Sequence, residues 1–73
     1  QNDIQSLQAQ LETEPGNVQV LLNLGRAYHA KGVGGDKEAV EKSEAYLTQA
    51  LELDSSNALA LAFLGSVYTL KGR

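Results

Sequence analysis

The sequence predicts an all-α domain of four helices, and three observations carry that prediction. Between the breaks, apolar residues recur at three- and four-residue spacing, the period of a helix face and not of a strand. Two tetrapeptides, Glu14-Pro15-Gly16-Asn17 and Asp54-Ser55-Ser56-Asn57, join turn formers to a final Asn able to cap a helix. Gly32-Val33-Gly34-Gly35-Asp36, the one glycine-rich stretch, supplies a third break.

The first helix is expected from Asn2 to about Thr13. Asn2-x-x-Gln5 is a relative of the capping box, and Ile4, Leu7 and Leu11 share a face. Pro15 then restricts its neighbour, Gly16 is expected to accept positive φ, and Asn17 caps the next helix. The second helix runs from Val18 to about Lys31, with Val18, Leu21, Leu24, Gly25 and Tyr28 inward and Gln19, Asn23, Arg26 and Ala30 opposite. Residues 32–36 read as a loop, Asp36 capping its far end. The third helix spans about Lys37 to Leu53. Its stripe is Val40, Ser43, Leu47, Ala50 and Leu51, flanked by Ala39 and Tyr46, and Glu38 and Lys42 form a supportive (i, i+4) pair. The fourth, from Ala58 to about Lys71, is expected to bury Ala58, Leu61, Leu64, Gly65 and Tyr68.

Composition bounds the rest. A chain of 73 residues, 42% hydrophobic and 21% charged, fits one small domain, and at this size folding buries only roughly 60% of the unfolded chain's surface. Without Cys there is no disulfide or thiolate metal site, and the lone His29 builds no zinc site by itself; no metal or other cofactor is expected. A net charge of -3 argues against nucleic acid as a partner. No apolar run is long enough to span a bilayer and no signal peptide is visible, so the segment is expected to be soluble, without membrane insertion. With no Met it cannot open at a natural initiator. A processed product, or a segment of something longer, is the expectation.

Leu21-x-x-Leu24-Gly25-x-x-Tyr28 returns forty positions later as Leu61-x-x-Leu64-Gly65-x-x-Tyr68, each copy preceded by a turn that ends in Asn. Gly removes a side chain so that a neighbouring helix can approach, Leu fills the space beside it, and Tyr packs its ring while its hydroxyl reaches water. Two copies imply stacked helical hairpins.

This pattern resembles the tetratricopeptide repeat, whose first helix reads W-x2-L-G-x2-Y and whose second is of A-x3-F type with a closing Pro. Leu21 and Leu61 stand in the place of the Trp, Ser43 and Leu47 in those of the Ala and Phe, and Ser55 in that of the Pro, which Pro15 keeps one unit earlier. The resemblance covers the whole chain. It implies that residues 1–15 are the second helix of a preceding unit, 18–57 a complete unit, and 58–73 the first helix of a following one, in an α-solenoid. The period exceeds the family's 34 residues by about six; these are assigned to an inserted loop near residues 33–38 and a lengthened second helix.

For catalysis the chain offers no nucleophile beside a base and no paired carboxylates in a pocket. Its serines sit in turns without a G-x-S-x-G elbow, residues 32–35 lack the G-K-[ST] of a phosphate cradle, and Glu38, Glu41 and Glu44 read as a solvated face. Enzymatic function is not expected. The resemblance instead implies a concave groove for a protein or peptide partner, exposing Gln19, Leu22, Asn23, Arg26 and His29, with Leu59 and Phe63 in the equivalent places of the last helix. Arg26 can fork onto a carboxylate, and Asn23 can both donate to and accept from a peptide backbone. The apolar Leu22, Leu59 and Phe63 do not suit the basic clamp with which some family members hold acidic chaperone tails. The function expected is therefore that of a non-catalytic protein-interaction module within a larger repeat protein. The alternative is a structural segment whose last helix, apolar nearly all round through Leu59, Phe63 and Leu70, packs on another chain, self-associates, or docks within its own protein.

Overall fold

The computed structural model describes residues 4–72 and consists of α1 (Ile4–Thr13), α2 (Val18–Val33), α3 (Lys37–Leu53) and α4 (Ala58–Lys71), with no strand among the described residues. The expected pairing of Asn2 with Gln5 lies outside them. Three helices start as their sequences dictate. Asn17, Asp36 and Asn57 hold extended backbone, and their side-chain oxygens accept from the amides of Val20 (3.2 Å), Ala39 (3.1 Å) and Ala60 (3.0 Å). The two Asn-ended turns share one bonding pattern. Asn17 donates its side-chain amide to Glu14 Oε1 and its backbone N–H to the Glu14 carbonyl; Asn57 does the same to Asp54.

The glycine-rich break is shorter than expected. α2 continues through Val33 and α3 begins at Lys37, so the connection is residues 34–36 and not an inserted loop over 33–38. Gly32 stays helical because it is where α3 comes close: Val40 Cγ2 lies 2.6 Å from the position a Cβ on Gly32 would take. The turn itself is made at Gly35, with φ 111°; Gly16 does not take the positive φ expected of it. The forty-residue spacing of the two copies is thus taken up by helices of 16 and 17 residues joined by short connections.

Short connections lay consecutive helices against one another, and α2 touches all three of the others. On one flank of α2, Val20, Leu24 and Tyr28 bury Leu7 of α1 and Ala39 of α3. On the other, Leu21 and Leu22 join Val40, Leu47 and Ala50 of α3 with Ala60, Leu64 and Val67 of α4. Between α2 and α3, Leu47 fills the space that Gly25 leaves open, and the buried Ser43 hydroxyl donates to the Gly25 carbonyl at 2.8 Å. Tyr28 stacks on Tyr46 at 5.8 Å, with Lys42 Nζ 5.4 Å from the Tyr28 ring centre. Its hydroxyl, expected to reach water, is taken by Gln8 Nε2 at 3.1 Å.

The face expected of α4 is corrected. Ala60, Leu64 and Val67 are buried, whereas Leu61 and Tyr68 are 55% and 56% exposed and Gly65 has no atom within 4 Å of its would-be Cβ. Ala58 is exposed as well. The physical reason lies in the neighbours. The equivalent face of α2 is covered by α3, but α4 meets α3 and α2 on one flank only. Among the described residues, no helix is long and apolar enough to cross a membrane.

Candidate functional site

Two stripes in the same repeat register make the candidate surface. On α2 these are Gln19, Asn23, Arg26 and Ala30; forty positions on, α4 presents Leu59, Phe63, Ser66 and Leu70. Gln19, Arg26, Ala30, Leu59 and Ser66 are exposed, and Asn23, Phe63 and Leu70 half-buried. The α2 stripe is polar and the α4 stripe largely apolar.

His29 joins them. Its ring meets the Phe63 ring edge-on, centroids 5.4 Å apart and planes at 71°, bridging α2 and α4. Beyond this contact a recess of about 260 Å³ is lined by His29, Val33, Ser66, Thr69 and Leu70. A second shallow recess lies along α2 over Asn23, Arg26, Ala27 and Ala30.

Of the groove residues read from the sequence, Gln19, Asn23, Arg26, His29, Leu59 and Phe63 thus reach the surface. Leu22 does not. It is 4% exposed, packed into the cluster that α4 completes, and its expected place in the groove is withdrawn. A run of four apolar residues, Val18 aside, starts α2 from Val20 to Leu24 with only Asn23 interrupting, and periodicity alone does not show which flank a later helix will cover. Val33, Ser66 and Thr69 were missed. Val33 fell in the supposed loop, and Ser66 and Thr69 carry no signal apart from their register with Arg26 and His29.

The packing residues divide by copy. Leu21, Leu24, Gly25 and Tyr28 are buried in the first; of Leu61, Leu64, Gly65 and Tyr68, only Leu64 is buried in the second.

Charge is organised at the far end of α4. Lys71 Nζ lies 2.6 Å from Glu44 Oε1 and 3.6 Å from Glu41 Oε1, so two members of the supposedly solvated acidic row tie α4 to α3. The hydrogen bond to Glu44, reinforced by the charges of Glu41 and Glu44 against some desolvation, raises the Lys71 pKa above the ordinary lysine value. Among the described residues, no three His, Cys, Asp or Glu side chains gather where they could hold a metal. Comparison of the chain with protein-family models, with curated proteins and with solved structures returns no match.

Proposed function

We propose that the chain is a non-catalytic protein-interaction module of tetratricopeptide-like stacking, which holds an extended peptide or a helix along the surface shared by α2 and α4. The observation that carries the reading is the His29–Phe63 contact, which joins a polar α2 stripe to an apolar α4 stripe on one continuous surface. The stacking part of the proposal draws on the repeated Leu-Gly-x-x-Tyr and on Leu47 seated over Gly25.

The two stripes set the chemistry of the ligand. Asn23 engages backbone amides and Arg26 a carboxylate, while Phe63, Leu59 and Leu70 accept apolar side chains. The matching partner is an amphipathic segment with acidic residues along one edge and apolar residues along the other. Burying one large apolar side chain of such a partner contributes on the order of 1.5 to 3 kcal/mol.

The test is a titration of the chain with peptides of that pattern and with their scrambled versions, monitored through backbone amide shifts. Shifts gathered at Asn23, Arg26, His29 and Phe63 are expected, with binding weakened by Asn23→Ala plus Arg26→Ala and, separately, by Phe63→Glu. If binding ignores both changes, or if Phe63→Glu dissolves an oligomer while capture persists, the groove reading is wrong and the surface serves assembly.

A further inference from the structure

The recess at the ends of α2 and α4 has a chemistry that the two stripes do not account for. Val33 and Leu70 give it apolar walls, while His29 and Ser66 bring polar atoms to it. Among the described residues, neither the ring nitrogens of His29 nor the Ser66 hydroxyl has a hydrogen-bond partner, and His29 is engaged through its ring contact with Phe63. The Thr69 hydroxyl serves its own helix, donating to the Gly65 carbonyl at 3.1 Å. Among the described residues, no Asp, Glu, Lys or Arg lines the recess.

We infer that this recess is a subsite of the groove for a tyrosine side chain of the bound peptide, its ring against Val33 and Leu70 and its hydroxyl at His29 and Ser66; this rests on the groove reading and names one residue of the ligand. Size sets the first limit. The recess measures about 260 Å³, and a cavity of about 150 Å³ suffices for benzene, so a ring fits. Charge sets the second. Val33, Thr69 and Leu70 belong to the final turns of α2 and α4, whose terminal carbonyls oppose a carboxylate. Lys31 and Lys71 stand in the same turns, so an ammonium group has no unmet negative end to neutralise. The tip of the occupant is therefore uncharged. Hydrogen bonding sets the third limit. A wholly apolar side chain would cover His29 and Ser66 without pairing them, and the indole of Trp only donates. A phenol hydroxyl both donates and accepts, as a serine hydroxyl and a neutral imidazole do, and tyrosine joins it to a ring.

The experiment is a titration with two peptides of the acidic-and-apolar pattern that differ only in carrying Tyr or Phe at the terminal apolar position, each made in both sequence directions and followed through backbone amide shifts. In one direction the Tyr peptide is expected to bind about two- to tenfold more tightly than the Phe peptide, with shifts at Val33, Ser66 and Thr69. Ser66→Ala should bring that ratio towards one. So should His29→Phe, which keeps a ring beside Phe63 but removes the nitrogens. Equal affinities in both directions, with shifts still gathered at Asn23 and Arg26, overturn the subsite and leave the groove reading standing. A Tyr preference that survives both substitutions overturns the subsite as well. Absence of shifts at Asn23 and Arg26 overturns the groove reading, and the subsite with it.

Discussion

Leu47 occupies the place of the side chain that Gly25 lacks: its Cδ2 and Cγ lie 2.5 and 2.6 Å from where a Cβ on Gly25 would stand. The contact is central to the core, for Leu47 is fully buried in the cluster that also holds Ala60, Leu64 and Val67 of α4. One vacancy in α2 is thus filled by one side chain of α3.

Alanine at the two repeat glycines should therefore act with opposite sign. Gly25→Ala forces Leu47 to move near its branch point and is expected to cost about 1 to 3 kcal/mol through overpacking. Gly65→Ala meets nothing and is expected to stabilise by up to about 1 kcal/mol through helix propensity. Urea denaturation of both variants checks the pair.

Loss of a cap should be felt most at α4, which has packed neighbours on one flank only. Asn57→Ala removes the acceptor of the Ala60 amide and is expected to cost about 1 kcal/mol. For a domain of this size that is a fall of about 4 to 8 °C in melting temperature. Amide exchange should accelerate first between Ala58 and Leu61.

Lys71 ties α4 to Glu41 and Glu44 of α3, and its pKa is raised in the folded state. The stabilisation is thus fully present below the ordinary value of 10.5 and lost as pH rises through the raised one. The group is exposed, so the effect is small and weakened by salt. Lys71→Met should lower the urea midpoint slightly at neutral pH, and the difference from the parent chain should shrink as pH is raised above 10.5.

The rings of His29 and Phe63 should be energetically coupled. A double-mutant cycle with His29→Ala and Phe63→Ala is expected to give about 0.5 to 1.5 kcal/mol. A value near zero would mean that the two helices do not form one surface there.

Much of the architecture was legible because local chemistry decided it. Asn17, Asp36 and Asn57 announce helix starts by their own side chains, and the stripe of Val40, Ser43, Leu47 and Ala50 has one face to bury and one partner to bury it against. What the sequence concealed was set by neighbours. Gly32 looks like a loop residue until Val40 is brought over it, and α4 copies α2 in sequence without copying its surroundings, so Leu61 and Tyr68 stay wet. The candidate surface was readable residue by residue through Asn23, Arg26 and Phe63. Its limits were not, because Leu22 disappears under α4 and Thr69 enters a recess only once α2 and α4 are side by side.

Ser43 gives the hairpin of α2 and α3 a means of proofreading. A hairpin slipped by a turn would set Leu47 against a residue that carries a side chain, and would take the hydroxyl away from the Gly25 carbonyl, leaving it only the carbonyls of its own helix. Notch and hydroxyl thus favour the same alignment, which keeps misaligned conformers scarce.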